Sequence, residues 1–255
     1  MPDILTPFIK GTLMGRKWNN IKEKKASADR SRAQVYTKML RDVTIAAKKG
    51  GESPDSNFML RIALDKCRKY NVPKDNIERA IKRGLGGETD DYFDITYEGY
   101  GVNGVAVFVE ASTNNVTRTA ANVKSYFNKS GGSLGTSGCL QFVFDHKAVF
   151  EVPVGSIDEE SFTLELIDAG ADDIVVEDGD FVITGNMASF GAIQKKLDEL
   201  KVTASSAGLE RVPTNHKEVN KETFDQIMKL VNMLEEDDDV NKVYHNIQYD
   251  EALFA

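Results

Sequence analysis

The end of the chain limits the fold more than any other stretch. Residues 222–234 place apolar side chains at helical spacing, 235–239 form an acidic turn, and 243–248 have the pattern of one β-strand. A lone strand leaves a row of backbone N–H and C=O groups without partners, so it must join a sheet begun elsewhere. The segment just before it cannot supply that sheet, because it is complete in itself. It runs from a strand at 148–152 to a helix opened by the capping box at 156–159 and ending near Ala169. Strands at 174–177 and 181–184 follow, joined through Asp178-Gly179, then a helix at 187–200 and a strand at 209–212. That β-α-β-β-α-β order is the split βαβ of ferredoxin-like folds. An unfinished sheet lies earlier, in strands 94–98 and 105–111 and a helix at 117–129. The expected architecture is therefore α+β and multidomain: a helical head at 14–90, a middle α+β domain made of 91–138 plus 213–255, and a ferredoxin-like domain, 139–212, inserted in it. Residues 1–13 are set aside as an extension, with Met14 as the expected natural start.

The head differs from the rest in charge. Residues 1–83 carry 20 Lys and Arg against 9 Asp and Glu, whereas residues 84–255 carry 12 against 31. A formal net charge of −8 thus hides a basic head on an acidic body. Such asymmetry points to a polyanionic partner for the basic part. The cations concentrate between Met14 and Lys49, where 11 Lys and Arg face 3 Asp and Glu around the only Trp in the chain. The candidate phosphate-contacting residues are Arg16, Lys17, Lys22, Lys24, Lys25, Arg32, Lys38, Arg41 and Lys48, with Trp18 as an aromatic that can stack on bases. On a helix from Ser31 to Lys49, Tyr36, Met39, Leu40, Val43 and Ala47 share one face, and Lys38, Arg41, Lys48 and Lys49 the other. Asn57 is expected to cap a second helix, 58–70, with Met59, Leu60, Ala63, Leu64, Cys67 and Tyr70 on its apolar face. Pro73 and a capping-box-like 75–78 open a third helix, which ends at Gly84.

Motifs that would signal other chemistry are weak. Residues 99–104 match GxGxxG by letter, but the run joins two strands, whereas a dinucleotide loop leads into a helix. The glycine-rich 130–138 lacks the Lys of a P-loop, so a mobile connector is favoured over a phosphate cradle. Cys67 and Cys139 form no CxxC, and His146, His216 and His245 show no ligand spacing. That cysteine usage fits a reducing, cytoplasmic setting. Acidic pairs such as Asp172/Asp173 have no His or Lys at catalytic spacing. The acidic run 235–239 is read as a solvated turn rather than a cation site, and Tyr244 and His245 as structural rather than interaction surface. No run approaches the ~18 apolar residues of a membrane span. The expectation is a protein with no catalytic residue, metal, cofactor, small-molecule substrate or membrane partner.

Four segments, MGRKWNNIKEKKA, TYEGYGVNG, TNNVTRTAANVK and DDDVNKVYHN, resemble the YebC family when taken together. The likeness runs from about Met14 to Gln248. It implies a helical head followed by two α+β domains, the last inserted in the middle one, and it implies nucleic-acid binding in the control of gene expression. The head reads Gly15-Arg16-Lys17-Trp18, where the commoner family form is AGHSKW, and so resembles the branch associated with translation. No homeodomain, zinc-finger or basic-zipper pattern is visible. A basic surface without a base-reading element suits a structured RNA recognised by shape. Ribosomal RNA, and with it the ribosome, is therefore favoured as the partner. DNA bound by a transcriptional regulator is the alternative, and a protein-interaction module built on the ferredoxin-like unit is the second.

Trp18 separates a binding role from a packing role. Its neighbours, apart from Ile21, offer no apolar company, so it is expected to be exposed in an N-terminal arm that orders on nucleic acid. Trp18→Ala should then weaken nucleic-acid binding by about 1–3 kcal/mol and leave the melting temperature unchanged. A blue-shifted Trp18 fluorescence in the free protein, unmoved by added RNA or DNA, would count against this.

Overall fold

The computed structural model of the protein describes residues 32–86, 92–155, 157–177 and 179–248. These fall into two compact units: 144–212, and the segments on either side of it.

The first unit begins with three helices, α1 (Arg32–Gly50), α2 (Phe58–Lys69) and α3 (Lys74–Leu85). The expected caps are met in part. Asn57 caps α2 by accepting from the Leu60 N–H, whereas α3 starts after Pro73 with no side-chain cap. Proline serves there because its missing N–H would lack a helical partner anyway. The helices close on a small core of Met39, Val43, Ala46, Ala47, Leu60, Ala63, Cys67, Val72 and Ala80. Met59 is not part of it: it stands 59% exposed, one residue off the stripe that Leu60, Ala63 and Cys67 share. The position of α3 is set by Gly84, where an added Cβ would fall 2.5 Å from the Thr44 carbonyl oxygen. Only a glycine lets the two backbones come so close. The Thr44 hydroxyl donates to the Ala80 carbonyl at 3.2 Å, so α1 and α3 run side by side.

The same unit contains a four-stranded sheet. β1 (Phe93–Tyr100) and β2 (Ala106–Thr113) form an antiparallel hairpin, followed by α4 (Val116–Lys129) and the short β3 (Ser133–Leu134). After the insertion come α7 (Lys221–Glu236) and β8 (Val240–His245). The sheet order is β3-β1-β2-β8, and β8 pairs antiparallel with β2, with Val109 opposite Val243. The lone C-terminal strand thus completes the earlier sheet, so the chain is α+β with its last domain inserted. Helices α4 and α7 contribute Val123, Phe127, Ile227, Leu230, Val231 and Leu234 to the core beside Val105, Val107 and Val109. Each fully buried Leu, Ile or Phe contributes about 1.5–3 kcal/mol.

The second unit contains β4 (Phe144–Pro153), α5 (Glu159–Asp168), β5 (Ala171–Glu177), β6 (Asp180–Asn186), α6 (Phe190–Glu199) and β7 (Ser206–Pro213). Its sheet order, β5-β6-β4-β7, is the ferredoxin-like arrangement, with β6 antiparallel to both neighbours. Helix α5 is capped by Asp158, which accepts from the Ser161 N–H; Ser156 of the expected capping box lies outside the described residues. Two aromatic pairs mark the core, Phe150 with Phe190 at 4.5 Å and Phe162 with Phe181 at 4.9 Å between centroids.

The chain leaves for the insertion and returns at one point. The Thr214 N–H donates to the Val143 carbonyl at 2.9 Å, and its hydroxyl to the Phe142 carbonyl at 2.9 Å. Replacing 144–212 by a short Gly-Ser linker should therefore leave the first unit folded, since closing so short a loop costs little. Circular dichroism should show one cooperative melt for the shortened chain. A non-cooperative transition would contradict the prediction.

Candidate nucleic-acid interface

The candidate residues fall in three groups. Arg16, Lys17, Trp18, Lys22, Lys24 and Lys25 lie outside the described residues, and Arg32 opens α1. Lys48 is exposed in the last turn of α1. Lys38 and Arg41 stand elsewhere than on an open cationic stripe: they reach into the chain's own acidic turn. The Lys38 ammonium donates to three backbone carbonyls, those of Glu235, Asp237 and Val240, at 2.6, 2.7 and 2.8 Å. Arg41 donates to the Asp238 carbonyl and to the side-chain oxygen of Asn241, and its guanidinium lies 6.0 Å from the Tyr92 ring centroid. One turn further, Lys49 pairs with Asp94 at 2.7 Å. Burial opposes the charged form of Asp94, but hydrogen bonds from Lys49 and Ser112 outweigh it and hold its carboxyl below the usual range.

This seam has a local cause. Helix α7 ends at Glu236, and the last carbonyls of a helix lack intrahelical partners and carry the negative end of its dipole. A lysine ammonium has three donors and satisfies three such oxygens at once. Two carboxylates of the turn, Asp237 and Asp239, are turned inward, while Glu236 and Asp238 are exposed. Asp239, 7% exposed, accepts from Arg118 and from the Thr119 hydroxyl, each at 2.7 Å. Burial would raise the Asp239 carboxyl; the Arg118, Thr119 and Thr113 hydrogen bonds outweigh that and hold it below the ordinary carboxylate range. Asp237 accepts from the Asn122 amide at 2.9 Å, the Tyr126 hydroxyl at 3.0 Å and the Asp239 N–H at 2.9 Å. Burial and the neighbouring Asp237 push the Tyr126 phenol up to about 12. The run expected to be a solvated turn is solvated only in part: Glu236 and Asp238 are exposed, while its backbone carbonyls and Asp239 bind cations that the chain itself provides.

Other candidate chemistry is absorbed in the same way. The glycine-rich 130–138 is tied down at its end by a carboxylate. Buried Glu98 accepts from the Gly138 N–H at 2.8 Å and the Leu140 N–H at 2.6 Å, so these two donors are taken by the chain's own carboxylate. The GxGxxG run is a hairpin turn: Asn103 has φ 55°, and its side-chain amide donates to the Thr223 hydroxyl at 2.6 Å. Asp172 pairs with Lys147, and Asp173 accepts from the Ile174 N–H. Tyr244 and His245 are both buried in β8. Burial, helped by Asp42, raises the Cys67 thiol to about 11. Among the described residues no three His, Cys, Asp or Glu are grouped so as to hold a metal, and no helix is long and apolar enough to cross a membrane.

Arg118, Thr119, Asp237 and Asp239, which hold this part of the molecule together, lie in segments quoted for the family resemblance, but their sequence pattern assigns them no part in packing. The acidic run around Asp237 and Asp239 looks like any exposed turn, and Arg118 and Thr119 like any polar residues in a first helical turn. The signal that could have found them is the pairing of a short acidic run with a cationic helix that has to pack somewhere.

Comparison with known proteins agrees along the length of the chain. Residues 16–87 match the family described as the TACO1/YebC protein N-terminal domain, and residues 92–247 match its second and third domain. A relative from Parabacteroides distasonis, named a probable transcriptional regulatory protein, is 45% identical over 240 residues, covering 94% of this chain and 99% of its own. One from Persephonella marina with the same name is 43% identical over 240 residues, covering 93% and 96%. A crystal structure of a conserved hypothetical protein from Aquifex aeolicus superimposes with a TM-score of 0.76 at 36% identity, covering 88% of this chain and 93% of that one.

The Asp239 site sets a pH dependence. A carboxylate whose folded value is depressed contributes stability that is fully present above its unfolded value of about 4 and is lost as pH falls through the lower folded value. Asp239→Asn should therefore cost about 1.5–3 kcal/mol at pH 7, the range for a hydrogen bond to a charged group. The gap from the parent protein should narrow as pH falls below about 4. Denaturant unfolding at neutral and acid pH measures it, and a gap independent of pH would show that the carboxylate's charge plays no part.

Proposed function

The chain belongs to the TACO1/YebC family, and from that membership together with its polarised charge we propose that it is a non-enzymatic, nucleic-acid-binding regulator of gene expression whose partner is structured RNA. The supporting observation is the division of its cations. Lys38, Arg41 and Arg118 neutralise the acidic turn from within, so the body presents less negative field beside the head. The strongly basic run 16–25 is the proposed contact with a polyanion, since clustered Lys and Arg contact the backbone and give affinity with little sequence information. Recognition by shape, without a base-reading helix, suits the folded RNA of the ribosome and a role in translation. DNA is the second reading, favoured by the relatives' name of probable transcriptional regulatory protein. Crosslinking the protein in cells and sequencing the attached nucleic acid separates the two: ribosomal RNA supports the first reading, promoter DNA the second.

The division of cations makes its own prediction. Replacing Lys22, Lys24 and Lys25 with Gln should flatten the dependence of log K on log salt by roughly 2–3 units, at ~0.7–0.9 per phosphate contact. Lys38→Met should leave that slope unchanged and lower the melting temperature, because three carbonyls lose their donor. A flattened slope for Lys38→Met alone would mean that its ammonium leaves the turn for a phosphate.

A further inference from the structure

The inserted unit has a strand edge without the usual guards. In the order β5-β6-β4-β7, β5 pairs on one side only among the described residues, with β6. An edge strand presents backbone N–H and C=O groups that can template a further strand, and native edges are commonly blunted by Lys or Pro. β5 has neither and carries Asp172, Asp173 and Glu177 instead. One outward group is met locally, since the Ile174 N–H donates to the Asp173 carboxylate at 3.0 Å.

Helix α5 forms a wall beside that edge. Its Phe162 and Leu166 are buried, and Phe162 meets Phe181 of β6. Glu165 faces α6, where it pairs with Lys196 at 2.8 Å. Ile167 lies about 200° round the helix from Glu165. It therefore stands on the flank away from α6, which is the flank above β5. Val176 of β5 comes up on the same side, because it is paired with Phe181 and directly opposite side chains share a face of the sheet. Ile167 is 50% exposed, Val176 48%, and Leu164, beside Ile167 on the solvent side, 60%. An apolar groove thus runs along a free strand edge.

Charge selects the occupant. Glu160 and Asp168, one turn before Leu164 and one turn after it, are exposed and make no ion pair among the described residues. Residues 144–212 as a whole carry 15 Asp and Glu against 5 Lys and Arg. A second copy of the unit, or a nucleic acid, would bring like charge against this surface, which opposes association. An extended segment alternating apolar and cationic residues fits, because a period of two sends its apolar side chains into the groove while its backbone pairs with the edge. We propose that β5 takes up such a Lys- or Arg-rich segment of another protein as a fifth strand. Its apolar side chains seat against Ile167 and Val176, and its cations are held by the surrounding carboxylates, Glu160 and Asp168 among them. The proposal concerns the inserted unit and goes beyond the nucleic-acid reading, which concerns the head.

The test titrates the full-length, isotope-labelled protein with three short peptides and follows its backbone amides by NMR. The peptides alternate Lys with Val, Glu with Val, and Lys with Gly. The Lys-Val peptide should shift amides of β5 and α5 and bind less tightly as salt rises, and the other two should leave those amides in place. Ile167→Lys with Val176→Lys should weaken that binding by about ten-fold or more, because both new cations meet the peptide's own. Should this variant melt early, Glu160→Gln with Asp168→Gln, both at exposed positions, should weaken binding and reduce its salt dependence. No shift of β5 by the Lys-Val peptide at millimolar concentration would overturn the proposal. So would equal binding of the Lys-Gly peptide, which would show attraction by charge without a groove. Tighter peptide binding after Lys22, Lys24 and Lys25 are replaced by Gln would give the edge to the chain's own basic arm instead of another protein. Dimerisation of the parent that is lost in the Ile167→Lys, Val176→Lys variant would give it to a second copy.

Discussion

The first unit depends on how one acidic turn is neutralised. Helix α7 ends at Glu236 and β8 begins at Val240, so four backbone oxygens and several carboxylates crowd into a few residues. Left unpaired, such groups would oppose folding, since buried polar atoms without partners cost about 1–3 kcal/mol each. Three cations from two different elements resolve this: Lys38 and Arg41 from α1 take the carbonyls, and Arg118 from α4 takes Asp239. The same contacts tie the helical head to the sheet-bearing body. Charge neutralisation and domain attachment are therefore one interaction.

That arrangement changes what the basic head can offer. Among its described cations, Lys38 and Arg41 are consumed by the body, while Lys66 and Arg68 pair within the head. Lys38 and Arg41, which helical periodicity places opposite the core, are half-buried in the seam, whereas Lys48, Lys82 and Arg83 are exposed at the far end of the helices. Counting cations along the chain overstates the surface open to a polyanion. Sorting them by partner gives a smaller surface, held in a definite shape.

The insertion follows a similar economy. Val143 and Thr214 are hydrogen-bonded neighbours, so the ferredoxin-like unit enters and leaves the body at a single place. The body's sheet then needs β8 from beyond the insertion to cover the far edge of β2. A strand that must pair with a partner 129 to 138 residues earlier folds late unless local contacts prepare it. Here α7 packs beside α4 and carries the turn that α1 and α4 hold, so β8 is delivered to its edge by contacts outside the sheet.

Much of this was legible in the sequence. The 2- and 3.6-residue periodicities placed the strands and helices, the completeness of 148–212 demanded an insertion, and the lone strand after Asp239 demanded an earlier sheet. Those inferences succeed because they rest on local pattern and on the obligation of every strand to pair. Asn57 was legible as a cap for the same reason, its acceptor lying three residues from the donor. The partners of charged side chains were not legible. Lys38 and Glu235 are 197 positions apart, and nothing in either segment distinguishes a cation aimed at water from one aimed at a carbonyl. The burial of Glu98 on the N–H groups of Gly138 and Leu140 and the inward turn of Asp237 and Asp239 share that property. Charge is a property of the residue, but its partner is chosen by where the backbone carries it, so sequence alone determined the elements and the tertiary structure decided what their charges do.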